Sequence, residues 1–233
     1  MRVNDLVLVR GMQDTELALR RWNRRPVRTL WPWVRLSLLI SLGLLASVYL
    51  VAKLSTPDST RYLIPGYNEP AALGDYLDVL FRNSLVLALH AMACVAGFIA
   101  GSSLPLSAAK RSGASRWVHE KAGPLAIGFV ICATTFSLGT QAYILGSNLS
   151  TIANQLAITP ATLLVCYLPH AVPELIALYL PLAAWLIASR KGDWDQLLAA
   201  TFVTLAISIP LLIVSVTIET FVSPEILTAV LPR

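Results

Sequence analysis

Residues 30–54, LWPWVRLSLLISLGLLASVYLVAKL, form an apolar run long enough to cross a bilayer as a single helix. Just before it, residues 20–28 read RRWNRRPVR, and this arginine cluster favours a cytoplasmic N-terminus. A cleaved signal peptide is the alternative, but the run is too long and STPDST follows it instead of a small-residue cleavage site. We therefore predict that residues 1–29 are a basic cytoplasmic segment and that residues 30–54 are the first spanning helix.

The composition extends this interpretation to the whole chain. Of 233 residues, 56% are hydrophobic and only 13% are charged, and the mean hydropathy is +0.66. A soluble domain of this size could not bury so much apolar surface. We predict an all-α fold, a polytopic transmembrane helical bundle over residues 30–222, followed by a short external tail at residues 223–233.

Basic loops alternate with the apolar runs and predict the topology. The runs cover residues 77–106, 123–148, a fourth segment that ends before Arg190, and residues 197–222. Basic residues concentrate in the segments between them that we place inside, namely Lys110, Arg111, Arg116, Lys121, Arg190 and Lys191. We predict five spans in the cell membrane, with the N-terminus cytoplasmic and the C-terminus external. The basic residues behind the net charge of +5 would then set the topology and contact anionic lipid headgroups. We therefore expect membrane lipids, and no nucleic acid, as partners.

Ionisable residues inside the spans predict a polar site. In LPHAVPELIALYLP (residues 168–181), His170 and Glu174 are four apart and share one helical face. At about 1.5 Å per residue, Glu174 lies roughly 24 Å from Arg190, in the outer half of the bilayer. Similar estimates place Asn83, His90 and Glu219 at outer depths, which predicts an outward-facing site of these five residues. The competing interpretation is interhelical hydrogen bonding that only fixes the bundle.

The same segment predicts a break in the fourth helix. Pro169 and Pro173 would occupy the first turn of a helix that starts near His170, where proline is tolerated. Thr159 as N-cap and Pro160 at the first helical position would then begin a separate short helix. Broken helices occur in membranes where the freed backbone groups meet protein or water.

Other motifs indicate packing more than chemistry. Small residues recur every four positions at Ala93, Gly97 and Gly101, and Gly139 and Gly146 share another helical face. Cys94, Cys132 and Cys166 lack metal or redox spacing, and H-x-x-x-E lacks the second histidine of a zinc protease. We therefore expect no catalytic residue, no metal site and no cofactor.

Four stretches in order along the chain resemble the stage II sporulation protein M family of membrane proteins. They are FRNSLVLALHAMACVAGFIAG (residues 81–101), FSLGTQAYILG (136–146), LPHAVPELIALYL (168–180) and IETFVSP (218–224). Ala171 and Ser137 depart from the family's usual Gly and Asn, and residues 1–79 show little resemblance. The resemblance implies a membrane subunit that works with cell-wall hydrolases.

Three functions remain open at this point. The first is a non-enzymatic subunit that scaffolds an envelope or cell-wall-remodelling complex, as an oligomer or hetero-complex. The second is a permease-like subunit, with an ATPase as a conceivable partner, in which Glu174 lines a path for a small solute or ion. The third, and least favoured, is an intramembrane metal hydrolase.

Overall fold

The structure, a computed structural model, describes residues 7–103 and 112–231 and confirms the all-α prediction. These residues form helices and connecting loops, and no β-strand occurs among them. The helices are α1 (Val7–Asn23), α2 (Pro26–Leu54), α3 (Leu73–Phe98), α4 (Gly113–Gln155), α5 (Pro160–Lys191), α6 (Leu197–Thr217) and α7 (Ser223–Val230).

Five segments of the described chain are long and apolar enough to cross a membrane. They are Pro26–Leu54, Leu73–Gly101, Ile127–Gln155, Pro160–Lys191 and Trp194–Val230. Their number and order match the five predicted spans, and the fold is that of a multi-pass membrane protein. Residues 1–6, the inner-loop residues Lys110 and Arg111, and residues 232–233 lie outside the described residues.

The chain divides into two compact units. Unit one comprises Met1–Ser37, Leu87–Ala133 and Leu178–Ser208, and unit two comprises Leu38–Val86, Thr134–Ala177 and Ile209–Arg233. Each of the five long helices therefore contributes one stretch to each unit.

Unit one is built around tryptophan and small residues. Trp33, Leu180, Ala184 and Ala200 form a buried cluster. The ring of Trp22, at the end of α1, meets Trp33 edge-on with 5.2 Å between centroids. Trp33 is buried, whereas Trp31, two residues before it, is 61% exposed. Through the contact between Trp22 and Trp33, α1, which lies in the predicted basic segment, packs onto the start of α2.

Unit two is organised by the loop between α2 and α3. The backbone N–H of Tyr62 donates to Gln155 Oε1 (2.9 Å), and the Tyr62 hydroxyl donates to Asn148 Oδ1 (2.9 Å). Gly66, with φ of +80°, lies so close to Pro224 that an added Cβ would stand 2.8 Å from its Cγ. The loop is thus held between the end of α4 and the start of α7.

The fourth spanning helix is unbroken, which corrects the predicted break at Pro169 and Pro173. Thr159 caps α5 as expected, because its Oγ1 accepts from the Thr162 N–H (3.1 Å), but the helix then runs on to Lys191. Leu163, Cys166 and His170 are buried at helical spacing through the proline region. A packed face of this kind holds the turns in place, and helices in apolar surroundings tolerate proline when neighbours satisfy the freed groups.

The ends of α4 and of the last span also differ from the predicted limits. α4 covers Gly113–Gln155, longer than residues 123–148, and ends where Ala157 adopts φ of +53° and the Ile158 N–H donates to Ala153 O (3.0 Å). After α6 the chain passes through a π-helical turn, Ile218–Val222, into α7. Residues 223–230, which fall in the stretch predicted as a short external tail, are therefore helical.

Candidate functional site

The five residues predicted to form one polar site are divided between the units. Asn83, His170, Glu174 and Glu219 belong to unit two, whereas His90 belongs to unit one. The His90 ring lies edge-on to Tyr179, 5.3 Å between centroids, and its Nδ1 is buried without a hydrogen-bond partner among the described residues. The candidate site is therefore built from the four residues of unit two.

These residues surround or adjoin a cavity of about 400 Å³ in unit two. Its polar lining consists of Tyr62, Asp75, Asn148, Tyr167, His170, Glu174, Glu219, Thr220 and Ser223. Its apolar walls come mainly from leucines of α2, α4, α5 and α7. None of the described lining residues is Lys or Arg. A concave, mostly apolar space of this size with a few polar groups is typical of small-molecule sites.

Two carboxyl groups dominate the chemistry of the cavity. Glu174 of α5 and Glu219 of the π-helical turn face each other closely enough to interact, and the Asn83 side chain approaches Glu174 from α3. Glu174 Oε2 is buried and has no hydrogen-bond partner among the described residues. A buried carboxylate oxygen without a partner is costly, so this atom is a ready acceptor for a proton or a cation.

His170 is held by a different element. Its Nδ1 lies 2.6 Å from the Ser223 Oγ at the start of α7, and its ring lies 5.4 Å from that of Tyr167. His170 and Glu174 were expected to share one helical face, but their side chains have different partners: Ser223 for His170, and Glu219 and Asn83 for Glu174. Contacts with other helices, and not the one-turn spacing, therefore decide the partners of these two side chains. Both residues line the same cavity.

The π-helical turn explains how Glu219 reaches this cavity. Ile218–Val222 interrupts the regular α-helix between α6 and α7. Such turns are short, locally widened and frequent at functional sites. The turn thus changes the helical phase just where Glu219, Thr220 and Ser223 contribute to the lining.

The loop between α2 and α3 forms another wall. Tyr62, Leu63, Ile64 and Pro65 line the cavity, and the Tyr62 carbonyl accepts from Gln155 Nε2 (2.9 Å). Earlier in the same loop, the Thr60 N–H donates to Asp58 (2.8 Å), and this hydrogen bond lowers the pKa of the Asp58 carboxyl group. Because the loop is ordered by several such contacts, it can define the shape of the cavity.

Sequence reasoning missed Tyr62, Asn148, Tyr167 and Ser223. Tyr62 lies in a turn-rich loop with no periodic signal, and Asn148 marked only the expected end of a span. Ser223 belongs to IETFVSP, a stretch used for the family resemblance, but nothing in its spacing connects it with His170. A tyrosine three residues before a histidine on the same helix, as for Tyr167, was the one usable signal.

The predicted packing residues divide into two groups. An added Cβ would lie 2.6 Å from Trp185 Nε1 at Gly97 and 2.6 Å from Val51 Cβ at Gly146. At Gly101 it would overlap the ring of Trp194. Ala93 is partly buried on the same helix as Gly97. Gly139, in contrast, is exposed, and nothing in the described chain lies within 4 Å of an added Cβ there. The expectation of a helix contact at Gly139 is therefore not met.

Among the described residues, no three His, Cys, Asp or Glu side chains lie close enough together to hold a metal ion. Comparison with known proteins gives no match to a protein-family model, to a curated protein or to a solved structure.

Proposed function

We propose that this protein is a permease-like membrane subunit whose cavity in unit two binds a small cation or cationic solute. The observation that carries the proposal is the buried Glu174 Oε2, which has no hydrogen-bond partner among the described residues, while the Glu174 carboxyl group lines a cavity of about 400 Å³. Ionisable residues within membrane spans are costly, and they commonly mark ion or substrate paths.

The charge of the lining favours a cationic ligand. Glu174 and Glu219 face each other, and no Lys or Arg is among the described lining residues. Asp75 also lines the cavity, where its carboxyl group accepts from the Ala72 N–H (2.8 Å). Two carboxylates in an apolar pocket cannot both stay charged without a counter-charge. The pair therefore holds either a proton or a cation, and binding of a cation releases the proton.

The test uses the full-length protein in liposomes that contain a pH-sensitive dye. Sodium, potassium and methylammonium are the probes, added at several pH values. We expect one of them to release protons, with an affinity that weakens by about tenfold for each pH unit lowered when one proton competes with one cation. The other titratable groups in the cavity lining are His170, Asp75, Tyr62 and Tyr167, so their variants are measured in parallel.

Glu174→Gln keeps the shape of the side chain and removes its charge, and we expect it to abolish proton release in a stably folded protein. Glu225→Gln is the matched control, because Glu225 is exposed on α7 and does not line the cavity. Normal proton release by Glu174→Gln, combined with loss of stability in Glu174→Leu, would mean that Glu174 only holds the bundle together.

A second candidate is the scaffold subunit of an envelope complex, which the resemblance to the stage II sporulation protein M family supports. In the most apolar stretch of Ile127–Gln155 only 6% of the residues are buried. The side chains of Phe129, Phe136 and Tyr143 are 74%, 77% and 67% exposed. A span this uncovered meets lipid or another protein. A photo-crosslinking residue at position 136 should capture a defined protein, such as a hydrolase, in native membranes; capture of lipid alone would count against this role.

A further inference from the structure

A second cavity, in unit one, is lined by positive charge. It measures about 580 Å³ and lies where α1 ends, α2 begins and α5 ends. Its cations are Arg21, Arg24, Arg25, Arg28 and Lys191, and Asp193 is the single acidic side chain among the described lining residues. Five cations around one concave space repel one another unless an anion lies between them.

Among the described residues, only Asp193 brings negative charge to this cavity, and it does not pair with any of the five cations. Arg20, which is outside this cavity, pairs with Glu16 (2.6 Å), whereas none of the five lining cations forms an ion pair within the described part of the chain. All five residues are exposed. Arginine guanidinium groups match phosphate oxygens in paired hydrogen bonds, so a phosphate group is the anion that this set fits best.

The remaining walls are aromatic and apolar. Trp22 and Trp33 line the cavity in edge-on contact, and Pro32, Ile187 and Ala188 continue the apolar side. Tryptophan is enriched at the membrane surface, where one part of the ring contacts acyl chains and another contacts headgroups. A free phosphate ion would not cover the partly exposed Trp22 and Ile187.

The position of the cavity also indicates a membrane surface. Three candidate spans have an end there, since one begins at Pro26, another ends at Lys191 and a third begins at Trp194. The ends of spans meet the headgroup layer, where anionic lipid attracts arginine and lysine.

From these observations we propose that the cavity binds the phosphate of one anionic phospholipid, with its acyl chains against the partly exposed Trp22 and Ile187. The site is separate from the acidic cavity of unit two and does not depend on the cation proposal. Beyond the general attraction between basic residues and anionic membranes, the cavity would be a defined site for a single headgroup.

Native mass spectrometry of the full-length protein tests the proposal. The protein is released from bilayers of phosphatidylcholine alone or mixed with phosphatidylglycerol, and the bound lipids are counted. We expect one retained phosphatidylglycerol, with retention weakened roughly fivefold for each arginine replaced. The variants are Arg24→Gln, Arg25→Gln and Arg28→Gln, singly and together, and single variants are decisive if the triple variant does not fold.

Two comparisons separate the alternatives. Arg82→Gln, which removes an exposed arginine paired with Asp78 in unit two, should retain the lipid as the native chain does. Arg28→Lys keeps the charge but loses the paired hydrogen bonds of the guanidinium group, so we expect it to retain less phosphatidylglycerol than the native chain and more than Arg28→Gln. Equal losses in Arg82→Gln and Arg28→Gln would overturn the site in favour of diffuse attraction. Displacement of the lipid by millimolar inorganic phosphate would overturn the lipid in favour of free phosphate.

Discussion

Polar side chains inside unit two take their partners from distant parts of the chain. His170 bonds Ser223, and Glu174 faces Glu219 and Asn83. The sequence could show that His170 and Glu174 share a helical face, because spacing along one helix is fixed by its geometry. It could not show which residue of another helix each would meet, since that depends on packing and on the π-helical turn before α7.

The contact between His170 and Ser223 should be important for stability. Ser223→Ala would leave the buried His170 Nδ1 without a partner, and we expect a loss of about 1–3 kcal/mol in the free energy of unfolding. Ser47→Ala is the control, because Ser47 is exposed and bonds only Gly43 O in its own helix (2.8 Å). Thermal unfolding in one detergent should separate the two variants; equal melting temperatures would show that water replaces the hydroxyl group.

At the scale of helices, hydrophobic runs and caps were the reliable signals. Five spans and the start of α5 at Thr159 and Pro160 follow from apolar length and capping chemistry. The proline break failed because the packed face at Leu163, Cys166 and His170 decides the conformation more strongly than local preference. α1 was missed because its basic end resembles a topological signal, and its packing against Trp33 is a tertiary property.

Helix packing gives a matched pair of glycine variants. Gly97→Leu would drive a side chain into Trp185 and Leu197, whose atoms lie 2.6 Å and 2.8 Å from an added Cβ. We expect a loss of about 1–3 kcal/mol, as for other overpacked sites. Gly139→Leu, in open space on α4, should leave thermal stability unchanged or slightly raised, because leucine favours helix more than glycine does. Similar stability in the two variants would mean that Trp185 moves aside without cost.

At the scale of the whole chain, charge and aromatic residues are distributed unevenly. All of the tryptophans, namely Trp22, Trp31, Trp33, Trp117, Trp185 and Trp194, fall in the sequence ranges of unit one. The ranges of unit two hold only Lys53, Arg61, Arg82 and Arg233 as basic residues. The division into units comes from the structure, and the resulting asymmetry favours a cytoplasmic surface at the ends that carry the arginines.

This asymmetry leads to a prediction about membrane orientation. In a chain with Cys94, Cys132 and Cys166 replaced, single cysteines are introduced at positions 58, 114 and 228, each exposed in the structure. An impermeant maleimide added outside intact cells should label Asp58→Cys and Thr228→Cys and spare Ala114→Cys, because five spans place the first two positions on the side opposite the arginines. Permeabilised cells provide the control, since all three positions should then react. The reverse pattern would place the N-terminus outside, and labelling at position 58 without labelling at position 228 would show that Trp194–Val230 does not cross the membrane.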